Sequence, residues 1–190
     1  MDNQLTEKEK QILLRIARDA VTAAASAESL PSIRGTDFEG ILAEEGASFV
    51  TLTKAGTLRG CIGALDAYQP LVEDVQEHAV AAATEDYRFP NVRLEEVPML
   101  SIEISRLTAP QPLEYESPQE LMRLVRPHID GVVFKTSGRR ATFLPQVWEK
   151  VTDHQEFFSH LCMKMGVPAD LWKRKKLTVL VYQVEEFCEL

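Results

Sequence analysis

The segment Leu58-Arg59-Gly60-Cys61-Ile62-Gly63 brings a thiol, a guanidinium and two glycines into six residues. In its thiolate form a cysteine is a strong nucleophile. Side chains alternate along a strand, so Arg59, Cys61 and Gly63 should share one face. A guanidinium two residues away on that face would favour the thiolate. The spacing therefore predicts a nucleophile or anion site, with Cys61 and Arg59 as its chemical groups.

The glycines of this segment support the same hypothesis. Gly60 and Gly63 weaken a strand, because glycine loses much conformational entropy and offers nothing to pack. Such glycines often mark close approach by a ligand or by another backbone, so we expect them to bind substrate. There is a structural alternative: a free cysteine usually acts as a small buried hydrophobe. Flanking glycines can also simply form a β-bulge.

Two further places carry candidate groups. Glu103 lies on the polar side of an alternating stretch at residues 100–108, where it could be a general base or the partner of Arg59. Its alternative is an ordinary solvent-facing glutamate. In the loop Asp86-Tyr87-Arg88-Phe89-Pro90, Arg88 could bind a carboxylate or phosphate and Phe89 could wall a pocket. The alternative is a loop held to the body by its aromatic residues, with Asp86 and Arg88 on the surface.

The metal-binding and nucleotide-binding motifs are missing from the sequence. The three cysteines are widely spaced with no CxxC pair, and the four histidines show no HExxH spacing. There is also no P-loop, GxGxxG or GxSxG motif. We therefore expect no disulfide framework, no metal and no cofactor.

The charge balance argues against nucleic acid as the main partner. The 21 basic and 29 acidic residues give a net charge of −8, which repels a phosphate backbone. Arg139-Arg140 and the run Lys173 to Lys176 are the features that favour a nucleic-acid accessory protein, the weaker alternative. The N-terminus lacks a signal-peptide pattern and no apolar stretch reaches 18 residues, so we expect a cytoplasmic protein without a membrane span.

The local patterns alternate between helices and strands. Thr6 and Glu9 form a capping-box pattern before a long helix, and further helices are expected after Pro70, Ser117 and Asp153. Strands are expected as hairpins at residues 48–63 and 131–144, and at 100–108 and 177–184. Because hairpins dominate, we predict an α+β fold with a mixed, mostly antiparallel sheet flanked by helices. Residues 1–190 should form a single domain, with a seam near residues 110–118 and a smaller lobe around 111–150.

At this point the sequence resembles the AMMECR family, to which protein A of the bacterial and archaeal AmmeMemoRadiSam system belongs. The hexapeptide at residues 58–63 matches the family's Leu-Arg-Gly-Cys-Ile-Gly segment. The loop at residues 86–90 resembles its Asp-Pro-Arg-Phe-Pro loop, with Tyr87 in place of proline. Further similarity lies at residues 49–52, 101–108, 141–148 and 157–166.

The resemblance implies two α/β lobes, the larger with a mostly antiparallel sheet, and a cleft near the hexapeptide. It brings no established activity, but the system's name associates the family with Memo-like and radical S-adenosylmethionine proteins. Our leading hypothesis is therefore a cysteine-dependent enzyme or substrate-handling subunit of such a modification pathway, acting on an unknown small molecule or protein. Cys61, Arg59 and Glu103 would act in catalysis, while Gly60, Gly63, Arg88 and Phe89 bind substrate. The alternative is a non-catalytic adaptor that binds partner proteins.

Overall fold

The computed structural model describes residues 4–189, which divide into two compact units. The larger unit contains the chain up to Thr108 and the segment from Glu185 onward, and the smaller unit is Ala109–Val184. The smaller unit thus begins near the predicted seam and continues well past residue 150. No helix within residues 4–189 is long and apolar enough to cross a membrane.

The larger unit is a sheet packed on two helices. Its helices are α1 (Glu7–Ser26) and α2 (Leu71–Thr84), and short 3-10 helices lie at Gly35–Asp37, Gly40–Leu42 and Leu94–Met99. Its strands are β1 (Glu45–Lys54), β2 (Thr57–Gly63), β3 (Gln69–Pro70), β4 (Leu100–Leu107) and β9 (Val184–Cys188). Their order is β2-β1-β4-β9, with β3 also paired to β1. Strand β1 pairs antiparallel with β2, β3 and β4.

Local sequence signals explain the ends of these elements. The Thr6 side chain accepts the Glu9 amide and the Glu9 side chain accepts the Thr6 amide, which is the expected capping box of α1. Between β1 and β2, Ala55 and Gly56 have φ angles of 50° and 76°. Positive φ at both central positions gives a turn whose twist suits a tight hairpin. This turn sets the first pairs of the hairpin, Lys54 with Thr57 and Thr53 with Leu58.

The core of the larger unit lies between the helices and one face of the sheet. Buried side chains of α1 and α2 pack with the inward residues of β1 and β4, among them Val50, Leu52, Ile102 and Ile104. Each of these four is fully buried. The residues between them along the same strands consequently point to the opposite face, where polar side chains predominate.

The smaller unit is a second antiparallel sheet with its own core. Its elements are β5 (Gln111–Pro112), α3 (Pro118–Leu124), β6 (Gly131–Thr136), β7 (Arg139–Phe143), a 3-10 helix (Pro145–Glu149), α4 (His154–Lys164), α5 (Leu171–Arg174) and β8 (Thr178–Tyr182). The strand order is β5-β8-β6-β7. Aromatic rings fill the core, and the rings of Trp148 and Phe157 stack with centroids 3.7 Å apart. Such contacts combine large apolar area with specific ring geometry.

The α+β prediction is confirmed, since helices pack on antiparallel sheets. One strand prediction is wrong: residues 177–184 do not form a single final strand. Strand β8 ends at Tyr182 and belongs to the sheet of the smaller unit, whereas β9 begins at Val184 and joins the other sheet. The apolar run suggested one element, but alternation alone does not reveal that a strand has changed sheets.

Candidate functional site

One row of side chains crosses three strands of the larger unit. Thr51 in the central strand β1 pairs with Cys61 of β2 on one side and with Glu103 of β4 on the other. Because paired residues point to the same face, all three lie opposite the core. Adjacent strands are about 4.8 Å apart, so the backbones at Cys61 and Glu103 are about 10 Å apart.

This row is the centre of a surface that we call the polar face. By register, it comprises the outward residues of the three strands: Leu58, Cys61, Gly63, Phe49, Thr51, Thr53, Ser101, Glu103 and Ser105. Ser105 is buried, whereas Ser101 and Glu103 are exposed. The predicted polar side of β4 is therefore part of the same surface as the thiol.

The Cys61 thiol is half-buried and has a specific neighbour. The Thr51 hydroxyl donates to Cys61 Sγ over 3.3 Å. The two residues form a pair that is not joined by backbone hydrogen bonds, because the Cys61 amide bonds to a carboxylate beyond the sheet. Side chains come closest in such pairs. A hydroxyl directed at sulfur stabilises negative charge that develops there.

Glu103 has an environment that favours its protonated form. Partial burial raises the pKa of its carboxyl above the ordinary value, and the negative charge of Glu186 raises it further. Glu186 belongs to β9, the strand beside β4. A carboxyl with a raised pKa holds its proton more firmly than an ordinary glutamate does. The row thus places a thiol, a hydroxyl and a carboxyl of raised pKa on one face of the sheet.

Arg59 does not follow the alternation that the sequence suggested. Leu52 pairs with Gly60 while the next residue, Thr53, pairs with Leu58, so Arg59 is the extra residue of a β-bulge. The bulge breaks period-2 alternation, and the expectation that spacing alone places Arg59 beside Cys61 is not met. The bulge lies beside Gly60, but its extra residue is Arg59 rather than a glycine.

The guanidinium of Arg59 has partners within its own unit. It pairs with Glu96 at 3.0 Å and donates to the carbonyl oxygens of Pro90 and Asn91 at 2.9 and 3.3 Å. Glu96 also binds Lys54, and hydrogen bonds from Arg59 and then Lys54 lower its pKa to about 2. These contacts join the hexapeptide to the chain that follows α2. A catalytic role for Arg59 stays a prediction, without a contact to the thiol behind it.

The loop after α2 holds the backbone of Cys61 from outside the sheet. The Asp86 carboxylate accepts the Cys61 amide at 2.9 Å, while Arg88 Nη2 donates to the Cys61 carbonyl at 3.3 Å. Arg88 also binds Asp86 through Nε at 2.8 Å and Nη2 at 2.6 Å. This Asp86–Arg88 clamp replaces the neighbouring strand that the edge strand β2 lacks on that side.

The electrostatics of the clamp favour its charged form. The side chain of Asp86 is only 3% exposed, and hydrogen bonds from Arg88 hold the pKa of its carboxyl well below the usual range. The same carboxylate raises the pKa of Arg88, whose guanidinium lies over the ring of Phe89. The carboxylate bound by Arg88 is therefore one of its own chain, and a role of Arg88 and Phe89 in binding substrate remains a prediction.

The two glycines make room for the protein itself. A Cβ at Gly60 would overlap the carbonyl oxygen of Ala82 in the last turn of α2. A Cβ at Gly63 would overlap the ring of Phe49 and the carbonyl oxygen of Ser48. Close approach by another backbone, one of the two predicted reasons, thus explains Gly60. That the glycines also admit substrate remains a prediction.

A second group of polar side chains is buried between β1 and α2. Ser48 Oγ donates to Asp74 Oδ2 at 2.6 Å, and His78 Nδ1 lies 3.2 Å from the same oxygen. All three residues are at least 95% buried. Within residues 4–189, no group of three or more histidine, cysteine or acidic side chains is arranged to hold a metal ion.

Sequence reasoning missed several residues of the polar face and its supports. Thr51 lies on a predicted strand, but the register implied by the two-residue turn would pair it with Gly60, and only the β-bulge at Arg59 moves its partner to Cys61. The contacts of Glu96 with Arg59 and of Asp86 with Cys61 could not be predicted either, because these partners are distant in sequence. Glu186 was hidden by the wrong assignment of the last strand.

Comparison with known proteins places these features in a family. The AMMECR1 family model matches residues 14–187. A protein of Methanothermobacter thermautotrophicus is 37% identical over 97% of this chain and 96% of its own length. A protein of Methanopyrus kandleri is 37% identical over 100% of this chain and 92% of its own.

A solved structure agrees with this relationship. The crystal structure of the uncharacterized protein PH0010 from Pyrococcus horikoshii superposes with a TM-score of 0.77. Its sequence is 32% identical, and the match covers 97% of this chain and 93% of that one. The chain therefore belongs to the AMMECR1 family, as the hexapeptide and the loop at residues 86–90 predicted.

Proposed function

We propose that this AMMECR1-family protein handles an electrophilic substrate through Cys61, as a cysteine-dependent enzyme or a substrate-handling subunit. The observation that supports the proposal is the row of Cys61, Thr51 and Glu103 across the polar face. A thiol alone would be weak support, because most free cysteines are structural. Here the thiol is half-exposed, accepts a hydroxyl hydrogen bond and shares its face with a carboxyl of raised pKa.

The chemistry would be a transfer through the thiol. The cycle begins with the thiolate of Cys61, whose proton has passed to solvent. Its sulfur forms a bond to an electrophilic carbon of the substrate as the bond from that carbon to the leaving group breaks, and the leaving group departs with a proton from Glu103. Water then attacks the same carbon, its proton passes to the Glu103 carboxylate, and the carbon–sulfur bond breaks. Thr51 stabilises negative charge on sulfur at both stages. The separation of about 10 Å between the two backbones leaves space for a substrate between the side chains.

The Asp86–Arg88 clamp supports this role by fixing the nucleophile. It holds both polar backbone groups of Cys61 on the side where β2 has no strand neighbour. A nucleophile that keeps one position loses little entropy when it reacts. The clamp would thus maintain the position of the sulfur although the strand is at the edge of its sheet.

The proposed setting is a cytoplasmic modification pathway with Memo-like and radical S-adenosylmethionine proteins as partners. This part of the proposal depends on the family's association with such proteins. Cys188 is exposed and Cys162 is buried, and both are free, as is Cys61. Unpaired cysteines are usual where thiols are kept reduced.

The proposal can be tested by measuring how fast each cysteine is alkylated by iodoacetamide between pH 6 and pH 9, with peptide mass spectrometry as the readout. Cys162 and Cys188 serve as the buried and the exposed internal standards. We expect Cys61 to react at least as fast as Cys188 near neutral pH, although it is less exposed. If Cys61 is as inert as Cys162 until the protein unfolds, it is a structural residue and the proposal fails.

A second candidate function, an adaptor, is favoured by one observation. Tyr87 is 96% exposed and Leu58 is 39% exposed, and both are close in sequence to residues that hold or flank Cys61. Large exposed apolar side chains often mark protein interaction sites. We expect a Memo-like protein to bind with a dissociation constant of tens of micromolar or lower. Tyr87→Ser should weaken this binding, whereas Met163→Ser, which changes another exposed apolar side chain, should leave it unchanged. If no binding is detected with the partner at tens of micromolar, the adaptor hypothesis fails.

A further inference from the structure

The guanidinium of Arg88 has donor groups that the Asp86–Arg88 clamp leaves unused. Its Nε donates to Asp86, and its Nη2 donates to Asp86 and to the carbonyl oxygen of Cys61. The third nitrogen, Nη1, carries two further N–H groups. Among residues 4–189, no residue accepts a hydrogen bond from Nη1, and the side chain is 44% exposed. A ligand can therefore reach this nitrogen without displacing the clamp.

The planar shape of the guanidinium keeps Nη1 away from the Asp86 carboxylate. The edge of the group that carries Nε and Nη2 faces Asp86, with bonds of 2.8 and 2.6 Å. The three nitrogens surround Cζ in one plane, so Nη1 is on the opposite side of Cζ from that carboxylate. One arginine can bind two anions at different edges in this way. The group that binds at Nη1 need not approach Asp86.

The guanidinium is also close to the thiol that the proposed chemistry uses. Nη2 of Arg88 is 3.3 Å from the carbonyl oxygen of Cys61. That carbonyl is joined to the sulfur only through the Cα and Cβ atoms of the same residue. The hydrogen bond to Asp86 is the main reason why the pKa of Arg88 is raised, and the charge of a Cys61 thiolate acts in the same direction. A molecule of a few atoms can therefore contact both groups.

The surroundings of Arg88 favour an anion with a single charge. Cζ of Arg88 is 5.5 Å from the centroid of the Phe89 ring, which covers one face of the guanidinium and limits its movement. Cys61 shares the polar face with Glu103, and Glu186 is close enough for its negative charge to act on Glu103. This negative charge repels a phosphate dianion more strongly than a carboxylate. A carboxylate is therefore the better match.

We propose that the substrate of Cys61 carries a carboxylate beside its electrophilic carbon, and that Nη1 of Arg88 binds this carboxylate. The inference rests on the proposed function, because it names the substrate class for the same thiol. A hydrogen bond between two charged groups is stronger than one between neutral groups. Binding of the carboxylate next to the sulfur places the electrophilic carbon for attack, so that less entropy is lost in the reaction.

The test compares alkylation of Cys61 by iodoacetate and by iodoacetamide at pH 7 and constant ionic strength. The two reagents differ only in having a carboxylate or a neutral amide beside the reacting carbon. The ratio of the iodoacetate rate to the iodoacetamide rate should be about tenfold higher in the folded protein than in urea, the effect of one charge-assisted hydrogen bond. Arg88→Gln should abolish this increase. Arg93→Gln, which removes a 76% exposed arginine of the same segment, should leave it unchanged.

The outcomes separate this inference from the proposed function. If folded Cys61 reacts with iodoacetamide but the ratio equals that in urea, or if both arginine variants lower it equally, the carboxylate site is wrong and the reactive thiol stands. If folded Cys61 reacts with neither reagent, both proposals fail. Because Arg88→Gln also weakens the clamp, its iodoacetamide rate shows any displacement of the sulfur. If that variant does not fold, sodium propionate must protect wild-type Cys61 from iodoacetate saturably, whereas protection no greater than that by sodium chloride would overturn the site.

Discussion

Replacing Asp86 with asparagine isolates the clamp that holds the Cys61 backbone. The carboxylate accepts the Cys61 amide at 2.9 Å and three bonds from Arg88, at 2.6, 2.8 and 3.2 Å. Asparagine has nearly the same shape, but its amide nitrogen replaces one carboxylate oxygen. That nitrogen can only donate hydrogen bonds, and it would face the donor groups of Cys61 or Arg88. Bonds to a charged group contribute about 1.5–3 kcal/mol, and an unpaired buried donor costs about 1–3 kcal/mol.

These values set the size of the expected effect. Arg88 is 44% exposed, so water can solvate its guanidinium once the pair is lost. Asp86→Asn should therefore lower the free energy of unfolding by less than the roughly 3–5 kcal/mol that breaking a fully buried pair costs, and we expect about 2 kcal/mol. The control is Asp170→Asn, which removes an exposed pair with Arg174 that has the same 2.6 Å distance. An exposed pair contributes about 0–1 kcal/mol.

The assays are urea unfolding across pH and hydrogen exchange of the Cys61 amide. The pKa of Asp86 is lower when folded than the roughly 3.9 of a free aspartate, so its stabilisation is present above about pH 4. It is lost as the pH falls through the folded pKa, and the difference between wild type and variant should shrink there. If Asp86→Asn lowers the free energy of unfolding no more than Asp170→Asn does, and hydrogen exchange of the Cys61 amide is unchanged, then Asp86 does not hold the Cys61 backbone.

Three further predictions test other contacts. Gly60→Ala should lower the free energy of unfolding in urea by about 2 kcal/mol or more, because the added Cβ would overlap the carbonyl oxygen of Ala82. The control is Gly56→Ala, where the space is open and only the positive φ is unfavourable, and it should lower the free energy of unfolding by about 1 kcal/mol. Glu186→Gln should lower the pKa of Glu103 measured by NMR titration, because it removes a neighbouring negative charge. Glu103→Gln should not destabilise the protein at pH 7. The pKa of Glu103 is higher in the folded than in the unfolded state, so any stability that its carboxyl contributes is lost as the pH rises through the folded pKa. Glu96, whose pKa is about 2, should contribute stability above about pH 4 that Glu96→Gln removes; an unchanged urea midpoint at pH 7 would contradict this.

Much of the fold could be predicted from local signals. The capping box at Thr6, the hairpin turns and the alternation of β4 from Leu100 to Ile104 each depend on a few neighbouring residues, and each is present in the structure. The division of residues 177–188 between two sheets could not be predicted, because it depends on which distant strands are available as neighbours. The β-bulge at Arg59 is of the same kind, since it appears only in the register against β1.

The candidate site could be predicted less completely. The hexapeptide identified Cys61, and the polar side of β4 identified Glu103, but their shared row follows from the strand order β2-β1-β4. Asp86 and Glu96 act on residues more than 20 positions away, and nothing in their local sequence reveals those partners. The roles of the two glycines likewise required the positions of Ala82 and Phe49.

The most direct test of the polar face as a working unit is the alkylation rate of Cys61 at pH 7 in Thr51→Val. Valine keeps the size of threonine and removes only the hydroxyl that donates to the sulfur over 3.3 Å. A bond of about 1 kcal/mol corresponds to a fall of about fivefold, while Cys188 should react at its wild-type rate. An unchanged Cys61 rate would show that the hydroxyl does not activate the thiol, and the proposed chemistry would lose its basis.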